Sequence, residues 1–317
     1  MHKLRSYPPE DVDHRVYLGN QHPDLNGVLR FKEVLNDNGQ SMSSNMYVIG
    51  DPRDGHPATI IDIGNNRLAL HDIYDLFYQK GVRRIITSHH HFDHYLSLSE
   101  LLDVYIDKHL NDWPIIQLMA HSSSMDYMTL GTLNGLKLGW HKIEQATEWP
   151  SNDQIGNFRD RLKQLEEDDG SNLGPDHLEI ICLEDKNPII NLNDGRVLVP
   201  LHVAAHTSGS ICFLMGDVGE GRFHTLFSQD LVSAFVPGLN LIIGEPDVEE
   251  AGISPVVGMS VFSKALKDLH DYCVIYGIKH LMPGHGTVIV NDHDRVVKSI
   301  QQTLAAVQLR QIETREA

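Results

Sequence analysis

The stretch Val82-Arg83-Arg84-Ile85-Ile86-Thr87-Ser88-His89-His90-His91-Phe92-Asp93-His94 decides how this chain is read. Its first half is short and rich in β-branched residues, as a strand is. It runs straight into four candidate metal ligands, His89, His91, Asp93 and His94. Alternate residues of an extended segment point the same way, so His89 and His91 can face one cation together. The chain then turns, and Asp93 with His94 can address a second. A solvated histidine-rich loop is the plain alternative, and the apolar strand just before the cluster argues against it. Imidazole nitrogen and carboxylate oxygen suit Zn2+, with bonds of roughly 2.0–2.2 Å. They also suit Fe and Mn, so ligand type alone does not fix the metal. His90 and Phe92 alternate to the other face, where Phe92 reads as packing.

Working outward, residues 1–26 are polar and contain Pro8, Pro9 and Pro23, which reads as an irregular N-terminal arm before a domain over 27–317. Residues 28–35, 45–49 and 58–63 read as a β-meander, with turn signals at Asn36-Asp37-Asn38-Gly39 and at 50–55. Helical spacing over 67–80 ends at Gly81. After the histidine cluster come a helix-like stretch over 95–110 and a strand at 115–120. Residues 121–178 are more polar and partly helical, and read as an insertion or cap. Strands resume at 178–183, 188–192, 196–202, 210–215 and 224–228. A helix over 257–276 leads to a strand at 278–282 and then Pro283-Gly284-His285-Gly286; a last helix over 292–311 frays into a charged tail. The strand–loop–helix order puts the histidine cluster at the C-terminal end of a strand, where α/β folds present ligands.

The segment His89-His90-His91-Phe92-Asp93-His94 resembles the HxHxDH signature of the metallo-β-lactamase superfamily. Four further landmarks follow the family's order: Asp62 in Ile60-Ile61-Asp62-Ile63-Gly64, His206 in Ala205-His206-Thr207-Ser208-Gly209-Ser210, Asp230 after Ser228-Gln229, and His285 between two glycines. Taken alone, His206 reads as a core or turn histidine, Asp230 as a turn cap and Asp62 as a strand-end acceptor. The resemblance covers about 28–286. It implies an α/β fold, an αββα sandwich of two mixed β-sheets flanked by helices, with 121–178 as a partly helical cap. It implies a first metal on His89, His91 and His206, a second on Asp93, His94 and His285, and Asp230 bridging them. The expected cofactors are two Zn2+, with Fe or Mn as alternatives. Asp62 would orient a ligand. His121 and His202 read as pocket-lining or as ordinary hydrogen-bonded histidines. Ser208 stands where the family usually has proline, and Gln229 where it usually has glycine.

Composition narrows the chemistry. The 317 residues are 41% hydrophobic and 22% charged, enough for a sizeable core. A formal charge of −17 opposes a nucleic-acid partner. Cys182, Cys212 and Cys273 form no CxxC pair and read as buried small hydrophobes in a reducing compartment. The N-terminus lacks an apolar signal segment, and no stretch approaches the ~20 apolar residues of a membrane helix. A cytoplasmic location is expected. Most of the histidines outside the cluster, His2, His14, His22, His56 and His293 among them, read as surface groups.

Within the family, flavodiiron enzymes carry glutamate where this chain has His91, and persulfide dioxygenases lack some second-site ligands that it keeps. Glyoxalase II-like enzymes bind glutathione with basic residues near and beyond the last ligand, and here these are few. The resemblance therefore implies hydrolysis of a carbonyl ester-type bond by a metal-bridging hydroxide, with Asp93 or Asp230 moving the proton. Lactones, acyl-homoserine lactones among them, and esters are the expected substrates. A glyoxalase II-like thioester hydrolase and a di-iron oxygen-using enzyme are the alternatives. Tyr95, Tyr105 and Tyr127 are candidates to assist at the carbonyl oxygen. The expected partner is a small carbonyl substrate, with no nucleic acid and no membrane; a homodimer stays open.

Overall fold

The strands are apolar on both sides because both faces of each sheet are covered. In the computed structural model, which describes residues 15–33, 43–50, 57–64, 73, 82–95, 97–98, 116–129, 178–184, 189–234, 246 and 255–316, they form two mixed sheets. The first is ordered as in sequence: β1 (Arg15–Tyr17), β2 (Val28–Phe31), β3 (Met46–Ile49), β4 (Ala58–Ile61), β5 (Val82–Ile86), β6 (Ile116–His121) and β7 (Leu178–Leu183). Pairing is antiparallel from β1 to β4 and parallel from β4 to β7. The second sheet holds β8 (Ile190–Asn191), β9 (Arg196–His202), β10 (Ile211–Asp217), β11 (Arg222–Gln229) and β12 (His280–Pro283), all antiparallel except β11 with β12.

Period-two alternation divides the core into layers. On β3, Tyr47 and Ile49 enter the layer between the sheets, with Phe213, Met215, Phe227 and Met282 from the second sheet. Tyr47 and Phe227 meet edge to face, with centroids 5.3 Å apart. Such a pair contributes about 0.5–1.5 kcal/mol beyond its buried area. Met46 and Val48 face the other way, with Tyr95 of α1 (Phe92–Tyr95) and Met125 of α2 (Ser122–Thr129). On the far side, Cys212, Leu214, Leu226 and Leu281 pack under α3 (Pro255–Tyr276) and α4 (His293–Glu316). The layering is helix, sheet, sheet, helix.

Several expectations are corrected. Residues 15–25 are not irregular: β1 pairs with β2, and two 3-10 turns, Leu18–Asn20 and Pro23–Leu25, bury Leu18 and Leu25 between the sheets. The last helix runs to Glu316 rather than fraying after 311. Cys212 and Cys273 are buried but Cys182 is exposed, and none forms a disulfide. His22 and His293 are half-buried, not surface groups. Residues 122–177 connect β6 to its parallel neighbour β7, and their reading as a cap lies outside the described residues beyond α2. So do the helix over 67–80, except Ile73, and the turns at 36–39 and 51–55. No helix among the described residues is long and apolar enough to cross a membrane.

Candidate metal centre

The two sheets bring strand ends together at one edge of the sandwich. Asp62 follows β4, the histidine cluster follows β5, Asp230 follows β11, His285 follows β12, and His206 lies between β9 and β10. Backbone hydrogen bonds lock these ends. Ile211 N donates to Ser88 O at 3.0 Å, Gly284 N to Gln229 O at 3.0 Å, and Ser44 N to Asp93 O at 3.0 Å. Close approach demands a glycine at position 284. A Cβ there would collide with the Asp230 carboxylate and lie 3.0 Å from His94 Cε1. Asp62 and Gln229 hold left-handed backbone, at φ 53° and 47°. Such strain costs roughly 1–3 kcal/mol and persists only where the surroundings fix it.

Seven side chains converge in two groups. His89, His91, His206 and Asp230 can offer ligand atoms within 4.8 Å of one another, and so can Asp93, His94 and His285. Asp230 reaches both groups: Oδ1 lies 3.2 Å from His94 Nε2, while Oδ2 is 3.4 Å from His285 Nε2 and 3.7 Å from His206 Nε2. His285 Nε2 is 3.2 Å from Asp93 Oδ2, and His206 Nε2 is 3.0 Å from His91 Nδ1. A tetrahedral ion with bonds of about 2.0–2.1 Å needs neighbouring donors roughly 3.3 Å apart. The spacing fits a divalent cation.

The direction of hydrogens fits too. His94 Nδ1 donates to Asp62 Oδ2 at 2.8 Å, and Asp62 also accepts from Ser88 N at 2.7 Å and Ser88 Oγ at 2.8 Å. A neutral imidazole carries one hydrogen, so the His94 Nε2 lone pair faces Asp230 Oδ1. Both atoms are buried with no hydrogen-bond partner, as is His89 Nε2. Two facing lone pairs need a positive charge between them, from a proton or a cation. The same balance governs ionisation. Burial alone would lower the pKa of His94, but the carboxylates of Asp230, Asp62 and Asp93 outweigh it and hold it well above the usual value. Burial would likewise raise Asp93 and Asp230, but His94 and His285 hold Asp93 at about 2 and Asp230 well below the carboxylate range. Burial, with His94 and His91, depresses His89.

The other candidates fall outside these groups. His121 and His202 stack on each other, centroids 3.8 Å apart, and His202 Nε2 donates to Ser208 O. Tyr95 is buried among the core residues under the first sheet, and burial, then the Asp93 carboxylate, raise the pKa of its hydroxyl. Tyr105 and the side chain of Tyr127 lie outside the described residues. Sequence reading missed Glu33, whose Oε2 accepts from His285 Nδ1 at 3.1 Å across 252 residues of chain. It also missed a second histidine–carboxylate cluster, His22, Asp24 and His280, at the other end of β12. No local signal marks either one; only the pairing of distant strands creates them.

No family model matches the sequence, and no curated protein matches it. Solved structures do share its fold. A β-lactamase domain protein from Burkholderia ambifaria aligns at TM-score 0.55 and 16% identity, covering 90% of this chain and 74% of that one. A metallo-β-lactamase family protein from Thermus thermophilus aligns at 0.53 and 15%, covering 90% and 80%. A diflavin flavoprotein fragment from Nostoc sp. PCC 7120 aligns at 0.51 and 14%, covering 89% and 93%. The chain therefore has the metallo-β-lactamase fold, and its two histidine and aspartate groups could each hold a metal ion.

Proposed function

We propose that this protein is a metal-dependent hydrolase of a carbonyl ester-type bond, in a lactone or an ester. Two divalent cations, zinc in this reading with iron or manganese as alternatives, would be held by His89, His91 and His206, and by Asp93, His94 and His285, with Asp230 between. The observation that carries the reading is Asp230, whose two oxygens face both groups from a largely buried position. Cations bound there would supply Lewis acidity, which makes a water molecule acidic near neutral pH and polarises a carbonyl oxygen.

The chain's own groups do the rest. Asp62 holds the His94 ring with its Nε2 inward. Asp93 and Asp230 stay ionised through the neutral range, so the centre gathers positive charge. In this reading Asp93 or Asp230 would receive the proton of an attacking water and return it to the leaving alkoxide. A surface with formal charge −17 disfavours polyanionic substrates and favours small, weakly charged ones. The buried thiols Cys212 and Cys273, neither in a disulfide, suit a reducing, cytoplasmic setting.

The test is a screen of the zinc-, iron- and manganese-loaded protein on acyl-homoserine lactones, aryl esters, glutathione thioesters and β-lactams, with the metal content measured. Turnover of lactones or esters that disappears in His94→Ala/His206→Ala is expected. Undiminished turnover by that double variant, stripped of metal, would end the reading. A second reading, a di-iron oxygen-using enzyme, rests on the fact that histidine and carboxylate ligands suit iron as well as zinc. An iron-loaded, coloured protein that consumes oxygen and leaves every ester intact would decide for it.

A further inference from the structure

We propose that Glu33 is a positioning residue that sets the cation affinity of one half of the centre, the Asp93–His94–His285 position, and leaves the other half alone. The inference rests on the two cation positions proposed above.

Glu33 stands just past β2 on the first sheet, yet it grips the loop that carries His285 on the second. Its Oε2 accepts from His285 Nδ1 at 3.1 Å, and its Oε1 accepts from Gly286 N at 2.7 Å. With its hydrogen drawn to Glu33, the neutral ring presents the Nε2 lone pair toward Asp93 and Asp230. A carboxylate on the far nitrogen also makes the ligating nitrogen more basic. His94 has the same arrangement with Asp62 at 2.8 Å. Both histidines of this half therefore lean on a carboxylate. In the other half, the Nδ1 of His89 meets the neutral Ser88 hydroxyl at 3.0 Å.

The Glu33 backbone is itself fixed. Its N–H donates to Asn45 Oδ1 at 3.1 Å, and Arg30 donates to the same oxygen from Nε at 3.0 Å and Nη2 at 2.8 Å. Arg30 Nη2 also donates to Gly286 O at 2.6 Å, and Asn45 Nδ2 to Pro283 O at 2.9 Å. The buried Tyr47 hydroxyl donates to Pro283 O at 2.7 Å, and Asn45 N to Gly284 O at 2.6 Å. The loop is thus clamped through its carbonyls by β2 and β3. Within this clamp, Glu33 is the group that touches the imidazole, so its charge can be changed while the rest of the clamp stays in place.

The experiment titrates metal-stripped protein with Zn2+ against a chromophoric chelator, and with Co2+ by its visible spectrum. Wild type is expected to take up two ions in resolvable steps. Glu33→Gln keeps an acceptor for Gly286 N–H but loses the charge. It should weaken one step by about 10–100-fold and leave the other within about twofold. His206→Ala should remove the other step, and in the double variant the surviving step should be the weakened one. Glu33→Asp, which keeps the charge but shortens the reach, should repeat the step-selective loss should the glutamine variant prove unstable. A Glu33→Gln titration that overlays wild type, or one that weakens both steps equally, would overturn the proposal while leaving the two-cation reading intact. A wild-type protein that binds no divalent ion would overturn both.

Discussion

Two histidine–carboxylate clusters sit at opposite ends of β12, and they differ in where the hydrogen points. At the C-terminal end, His94 and His285 each turn Nδ1 to a carboxylate, so Nε2 offers a lone pair inward. At the N-terminal end, His280 Nδ1 accepts from Asn291 N at 3.1 Å, and His22 Nδ1 accepts from Asp24 N at 3.2 Å. A neutral ring whose Nδ1 is already an acceptor carries its hydrogen on Nε2 and cannot ligate there. His280 Nε2 is 3.7 Å from Asp24 Oδ2, and Lys279 Nζ already occupies that oxygen at 2.8 Å. Both clusters pass a test of distances between donors. Only the first has lone pairs aimed at a common point. The second is instead a polar clip that holds the 3-10 turns of the N-terminal segment against β11 and β12.

The largest effect should separate the clusters outright. His94→Ala/His206→Ala is expected to lose bound divalent metal and fall to near the uncatalysed rate. His22→Ala with His280→Asn should keep the metal stoichiometry of wild type, as measured by elemental analysis. Metal lost from the second pair would erase the distinction. Next comes the orienting carboxylate: Asp62→Asn should weaken cation binding by about 10–100-fold in a chelator-competition titration, since it removes the charge and one of the two acceptor oxygens that hold the His94 ring and Ser88. Unchanged affinity would mean that the ring is held by packing alone.

The clip should show itself in acid. Burial, then the neighbouring His22 and His224, push the pKa of His280 down to about 3. Burial also lowers His224, against the opposing charges of Asp24 and Asp217 and with the help of Arg196 and Lys279. These folded values lie below the unfolded value of about 6.5. Between the two the unfolded chain binds more protons, so the clip's contribution is full above about pH 6.5 and shrinks as pH falls toward 3. His280 contributes a slope of about 1.4 kcal/mol per pH unit in that window. Urea unfolding of metal-stripped protein at pH 7 and pH 5 should therefore lose less stability in His280→Asn than in wild type. Equal losses would show that His280 is not held neutral. The smallest effect belongs to the partly buried ion pair of Lys279 and Asp24. Lys279→Met should cost about 1 kcal/mol in the same assay and leave cation binding untouched.

Much of the site was legible because its chemistry is written locally. His89, His91, Asp93 and His94 lie within six residues, and a strand ending there presents them together. Taken alone, Asp62 was readable as a strand-end acceptor, Asp230 as a turn cap and His285 as a histidine between glycines, and the family resemblance implied their place beside the cluster. Gln229 was legible as a departure, and the structure shows its consequence: a non-glycine residue held at φ 47° with its buried amide lacking hydrogen-bond partners. Glu33 was not legible. It sits within 28–35, which reads only as one strand of the meander. His22 and His280 failed the other way, as two unrelated histidines that meet with ring centroids 4.8 Å apart.

What the amino-acid order determined by itself is which groups could take part: the types of donor, their order along the chain, and the alternation that sorts neighbours to opposite faces. What only the tertiary structure decided is which nitrogen of each imidazole is left bare. That depends on whether a carboxylate or a backbone N–H arrives at the other nitrogen. The arriving group comes from a distant strand end, 32 residues away for Asp62 and His94 and 252 for Glu33 and His285.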